Sequence, residues 1–205
     1  MDAHLDTWSP FGYDSTWLDP GIAPEDQQSA FTHGSMFWLA WKEGLVANGS
    51  VHAGLRTRLQ DVGDEDSDTA QGWVRIASDE MGPEALGPRG IARKIVDVVG
   101  TERPVYLSVD IDVLDPGLAP GTGTPEPGGW LTRELIQLLR GVEDLNVVGA
   151  DLVEVSPSYD GAGEQTGLAA AQVVFEMVTS IVKRGLKDGA EMREGVGRNL
   201  GSDEL

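Results

Sequence analysis

Residues 104–129 read PVYLSVDIDVLDPGLAPGTGTPEPGG, and this stretch decides the fold. Its first half, 104–114, is rich in β-branched residues with little alternation, as in a parallel strand buried on both faces. Asp110 and Asp112 lie two residues apart in it and so share one face of an extended chain. The second half has the glycines of a phosphate cradle but neither a following lysine nor a strand–loop–helix setting. We read it instead as a stiff loop shaping the mouth of a site. A second run of the same kind, LNVVGADLVEV at 145–155, ends in acids that precede a proline loop.

Outward from these two strands, the pattern alternates. SVHAGLR (50–56) and WVRIA (73–77) are strand candidates. MFWLAWKE (36–43) reads as a short helix, with Ser35 as N-cap and Gly44 beyond its end. Pro88–Val99 is helical, with proline in the first turn and Gly100 as the stop. Thr132–Arg140 is a helix closed by Gly141, and 166–185 is an amphipathic helix with Lys183 and Arg184 in its last turn. QDVGDEDSDTAQ (60–71) reads as an acidic solvated loop, and 8–32 as one long loop with turn punctuation. The expectation is α/β: a three-layer α/β/α arrangement around a mostly parallel sheet.

Composition narrows the function. Fifteen basic residues against 34 acidic give a net charge of -19, which argues against nucleic acid and suits cations or cationic substrates. No apolar run approaches the ~20 residues of a bilayer span, and we expect no membrane association. Without cysteine, disulfides, thiolate zinc sites and cysteine nucleophiles are excluded.

Sites in open α/β sheets form at the carboxyl ends of strands. Acids stand at three such places: Asp2, His4 and Asp6 in DAHLD; Asp110 and Asp112 in SVDIDVLDP; Asp151 and Glu154 in GADLVEVSP. Hard oxygens plus one imidazole favour Mn(II) over Mg(II), Fe(II) or Zn(II) and rule out soft-metal chemistry. A lone Asp at a strand end is usually a cap or a surface charge, but two clusters in one chain point to a metal site. His52, within a strand, reads as structural.

DAHLD with THG downstream, then SVDIDVLDPGLAPGTGTPEPGG, then VEVSP, resembles the ureohydrolases, the arginase and agmatinase superfamily of dimanganese enzymes. HGSMFWLAWKEGL and TPEPGGWLTREL are most similar to the agmatinase branch. The resemblance runs from residue 2 to about 184 and implies an arginase-like fold. It implies that Asp2, His4, Asp6, Asp110 and Asp112 are metal ligands, with Asp2 and Asp110 bridging two Mn2+ ions. It implies that His33 shuttles protons to the leaving amine and that Glu154 pairs with the substrate guanidinium. Asp6 counts among the catalytic residues as well as the ligands. The implied reaction is hydrolysis of a small cationic guanidino substrate, an agmatine-like amine, to urea and an amine, by a homo-oligomer.

The chain departs from this family in one respect. Members carry a Gly-Gly-Asp-His motif upstream of DAHxD, and its histidine is a sixth ligand; here one metal site lacks that His. We therefore expect residues 1–184 to be a partial ureohydrolase domain missing its N-terminal strands, with 185–205 a disordered tail. The alternative expectation is an inactive fragment or a non-catalytic partner of a full-length relative. As given, the chain reads as cytoplasmic; its final SDEL resembles ER-retention tetrapeptides and gains meaning only with a signal peptide upstream.

Overall fold

The computed structural model describes residues 1–12, 19–23, 26–59, 62–82 and 84–200, with the backbone alone for 188 and 191–200. The tetrapeptide SDEL lies outside the described residues.

Among the described residues four strands form two parallel pairs. Strands β1 (Ser50–Leu55) and β2 (Trp73–Ala77) pair in register from Ser50 with Trp73 to Ala53 with Ile76. Strands β3 (Val105–Asp110) and β4 (Val147–Val153) form the second pair. The first three residues of the chain stand between the pairs. The Met1 amine donates to Ser108 O, and Asp110 N–H donates to Met1 O. On the other side Asp2 N–H donates to Ala53 O. The alternating donors follow a parallel ladder, so the lateral order is β2, β1, residues 1–3, β3, β4.

Gly54 is what lets residue 2 come so near. It has φ +108°, and a Cβ there would meet Val113 Cγ2 at 2.4 Å and Asp2 O at 3.0 Å. A crowded backbone position at positive φ falls to glycine.

Five α-helices accompany the strands among the described residues: α1 (Met36–Lys42), α2 (Val62–Ala70), α3 (Gly87–Val99), α4 (Thr132–Gly141) and α5 (Gln165–Leu200). Ser35 does not cap α1 through its side chain; its hydroxyl turns back to Ala30 O and closes the preceding loop. Helix α2 corrects the expected acidic loop at 60–71 over its described residues. Asp64 and Glu65 occupy its first turn, where negative charge complements the helix dipole. Asp68 points inward, fully buried, and accepts from Thr7 Oγ1 and Arg75 Nη1, with His52 Nε2 at 3.0 Å. His52 also stacks on Trp73 with ring centroids 4.1 Å apart, so it is structural, as expected.

The core lies between helices and sheet: Ile76, Ile91, Val109, Leu135, Leu138 and Val173 are each fully buried. Trp130 joins them and donates its indole N–H to Ser78 O. Strands β3 and β4 are less buried than their composition suggests. In β3 only Val109 and Asp110 are buried, Tyr106 is exposed, and in β4 Val148 is exposed. Among the described residues β4 pairs with β3 alone.

Helix α5 also departs from expectation. Its backbone continues to Leu200, through residues expected to be a disordered tail; Lys187, Glu191, Met192, Arg193 and Glu194 are good helix formers. Gln165–Lys187 has the length and apolar composition of a membrane-crossing segment, counter to the absence expected from the sequence. One face of that segment, with Ala169, Ala170, Val173 and Met177, is buried, and the helix packs on α4 and β4. Glu176, also buried, pairs with Arg140 of α4. Leu168, Phe175 and Val182 on other faces are exposed.

Candidate metal centre

The centre forms where the N-terminal segment meets the end of β3. After Asp110 the chain tightens into a 3-10 turn, Ile111–Val113, and the Asp110 carboxylate accepts from Asp112 N–H at 2.8 Å. That turn places Asp112, 1% exposed, beneath the DAH segment. The Asp112 carboxylate accepts from Ala3 N–H at 3.1 Å, and Asp2 accepts from His4 N–H at 2.7 Å. The segment is thereby fixed by backbone donors to two of the carboxylates it approaches.

Asp2, His4 and Asp112 offer ligand atoms that all lie within 4.8 Å of one another. His4 Nδ1 is 3.0 Å from Asp112 and 3.5 Å from Asp2. Two carboxylates and an imidazole at this spacing fit one hard divalent cation. The resemblance implied two ions on five ligands. Among the described residues, this triad is the group gathered closely enough to hold an ion. Asp110 abuts it through Asp112. Asp6 stands at its rim, within electrostatic reach of Asp2, His4, Asp112 and Glu154.

The electrostatics show how strained the cluster is with only protons to neutralise it. Burial works against the His4 imidazolium, yet its hydrogen bonds to Asp112 and Asp2 prevail and push its pKa up to about 10. Burial first, then the charges of Asp2 and Asp112, push Asp110 up to about 9. Burial and the charge of Asp2 raise Asp6 to about 7. Asp112 is held below the usual carboxylate range: burial opposes this, and the His4 hydrogen bond and charge outweigh it. Protons on His4 and Asp110 occupy the role that a cation would take.

Glu154 follows β4 directly, exposed, in a left-handed conformation at φ +60°. Its carboxylate lies beside Gly123, whose ideal Cβ position is 3.4 Å from Oε2, so it faces the 119–129 loop. Asp6 is also left-handed, at φ +50°. Non-glycine residues in this region are uncommon and concentrate at functional sites. His33 is exposed on the turn before α1, outside the triad. Its neighbour Gly34 accepts from Trp8 N–H at 2.9 Å, which ties that turn to the segment leaving Asp6. Asp151 lies within β4, away from the triad, and accepts from the Tyr106 hydroxyl at 2.9 Å.

Two contributors escape the sequence reading. Glu126 brings a carboxylate to 3.7 Å from His4 Nε2, the nitrogen facing away from the triad. Such a partner orients a ligating imidazole and raises its basicity. Arg56, just past β1, donates to the carbonyls of Gly54, Asp112, Val113, Leu114 and Glu126. It holds the turn carrying Asp112 and the loop carrying Glu126 in one place. The sole sequence signal was the Pro-Glu-Pro stiffness of the loop around Glu126.

Comparison with known proteins identifies the family and the fold. The sequence model of the arginase family matches residues 1–179. An agmatinase-named protein of Schizosaccharomyces pombe is 46% identical over 193 residues, covering 94% of this chain and 44% of its own length. The crystal structure of a hypothetical agmatinase from Burkholderia thailandensis superposes with a TM-score of 0.71 at 35% identity, covering 90% of this chain and 50% of its own. The proclavaminate amidino hydrolase of Streptomyces clavuligerus superposes at 0.70 with 38% identity, covering 88% and 53%. The chain thus spans about half the length of the proteins it matches. With its DAHLD and DID carboxylates meeting at the end of a parallel strand in an arginase-like α/β fold, the chain belongs to the arginase family.

Proposed function

We propose that this chain carries the metal-dependent site of a hydrolase that cleaves a small cationic guanidino-alkyl amine, agmatine-like, into urea and an amine. The observation that carries this reading is the Asp2–His4–Asp112 triad, placed at the carboxyl end of β3 with Asp6 and Glu154 at its rim. Asp2, His4 and Asp112 would hold one divalent cation, and Asp110 and Asp6 would contribute to a second. Mn(II) suits this set of hard oxygens and one nitrogen; when bound, such ions acidify water so that it can act as a nucleophile near neutral pH.

The chain's own groups supply the rest. Glu154 can give a planar guanidinium a paired, charge-assisted contact. Asp6, with a pKa raised to about 7, can hold or release a proton near neutrality. His33 can hand a proton to the departing amine. Glu126 keeps His4 oriented through Nε2.

The test is urea release from agmatine by the purified chain with Mn2+ added. We expect turnover that His4→Ala abolishes, and a raised KM in Glu154→Gln. Absence of urea above the His4→Ala background would sink the reading. If Mn2+ binding persisted without turnover, the result would favour a non-catalytic partner of a longer relative.

A further inference from the structure

Asp6 keeps a left-handed backbone, φ +50°, which a non-glycine residue holds only where its surroundings fix it. On its N-terminal side the fixing groups belong to the metal centre. Asp112 accepts from Ala3 N–H, and Asp2 accepts from His4 N–H. On its C-terminal side they come from the region of α2, 61 and 64 residues further along the chain. Thr7 is 2% exposed. Its hydroxyl donates to Asp68 Oδ1 at 2.8 Å, and its carbonyl accepts from Gln71 Nε2 at 2.9 Å. The residue after Asp6 is therefore pinned at both its side chain and its backbone.

The two anchors are themselves firmly held. Asp68 is fully buried, with His52 Nε2 of β1 at 3.0 Å, and it accepts from Arg75 Nη1 of β2 at 2.9 Å. Burial opposes its charge, and the bonds from His52, Thr7 and Arg75 outweigh that and hold it below the usual carboxylate range. Three partners converge on its two oxygens, an arrangement that suits a carboxylate better than an amide. Gln71 is 1% exposed, and its Nε2 also reaches Ser67 O at 3.2 Å, which ties it back to α2.

We propose that Asp68 and Gln71 are positioning residues of the metal centre, which through Thr7 hold the Asp6 carboxylate at the rim of the Asp2–His4–Asp112 triad. Helix α2 and the β1–β2 pair thereby set how tightly a cation is held there. The inference rests on Asp6 being a ligand in the proposed hydrolase. Both residues act through residue 7, not by contact with the cation.

The test is calorimetric titration of Mn2+ into the metal-free full chain. Thr7→Val keeps the side chain's shape and removes its hydroxyl. We expect it to weaken Mn2+ binding by about tenfold, as loss of an outer partner of a ligand does. Thr7→Ser should restore the affinity to within about twofold, since it returns the hydroxyl to Asp68. In an Asp6→Asn background Thr7→Val should have no further effect, because groups acting through one residue are not additive. Gln71→Met should weaken binding in the same sense, and it stands in should Thr7→Val not fold. A Thr7→Val or Gln71→Met effect that persists undiminished beside Asp6→Asn would make the network structural only and overturn the proposal. Unchanged affinity in the folded variant would overturn it too; both results leave the hydrolase reading intact. No Mn2+ binding by the wild-type chain, or Asp6→Asn binding as tightly as wild type, would overturn it together with the role of the metal centre or of Asp6 in that reading.

Discussion

Replacing Arg56 with alanine tests whether one side chain holds the Asp112 turn and the Glu126 loop together. Its guanidinium donates to five carbonyls, with Nη2 to Glu126 O at 2.6 Å and Nε to the same oxygen at 3.0 Å. The contacts to Val113 O and Leu114 O are longer, both 3.2 Å. A hydrogen bond from a charged donor contributes ~1.5–3 kcal/mol, and a carbonyl left unsatisfied in the interior costs ~1–3 kcal/mol. Arg56 is only half-buried, so water can replace some of these bonds, and the contributions overlap. Crediting mainly Asp112 O and Glu126 O gives about 3–4 kcal/mol for Arg56→Ala. In a chain of this size ~1 kcal/mol moves Tm by ~2–4 °C, so we expect a fall of about 10 °C in thermal unfolding followed by circular dichroism. Arg56→Lys should recover less than half, because a point ammonium cannot span the same fork of acceptors. A fall smaller than about 2 °C for the alanine variant would refute the clamp.

Cation binding should release protons and strengthen with pH. His4 and Asp110, with pKa values raised to about 10 and about 9, are protonated at pH 8, and ligation must strip both, so calorimetry in buffers of different ionisation enthalpy should show roughly two protons released. Both folded values lie above the unfolded ones, so the metal-free fold should lose stability as pH rises from about 4 toward 10, most steeply between about 6.5 and 9, where both groups are protonated only in the folded state. An affinity independent of pH between 6 and 9 would contradict this. Gly54→Ala forces a Cβ against Val113 and Asp2 O in a left-handed backbone. It should weaken Mn2+ binding at least tenfold by pushing residue 2 off β1, together with a stability loss of about 2–3 kcal/mol. Unchanged Mn2+ affinity in that variant would show that residue 2 is not held by β1.

Much of this architecture was legible in the sequence. β2 matched WVRIA residue for residue, and α3 and α4 began and ended within a residue of their proline and glycine signals. Those signals are local, and local chemistry decides them. α2 was not legible, because its helical state is secured by Asp68 serving Thr7, His52 and Arg75 at once, partners that only the folded chain assembles. The half-exposure of β3 and β4 was hidden for the same reason: strand composition reports what a strand can bury, not which neighbours it has. In the site, the motifs named Asp2, His4 and Asp112, whose grouping the fold supplies. Arg56 and Glu126 carried no motif of their own, and their roles arise from contacts distant in sequence, Arg56 with Asp112 and Glu126, and Glu126 with His4.

The left-handed backbones of Asp6 and Glu154 bear on how this protein could be engineered. Selection for heat resistance alone would favour glycine or asparagine at both positions, since relieving such a conformation is worth about 1 kcal/mol. The same exchange would remove the two carboxylates that frame the mouth of the centre. A library screened for melting temperature should therefore drift away from the acids at 6 and 154, and one screened for guanidinium capture should keep them, making these two positions a gauge of which pressure shaped a given variant.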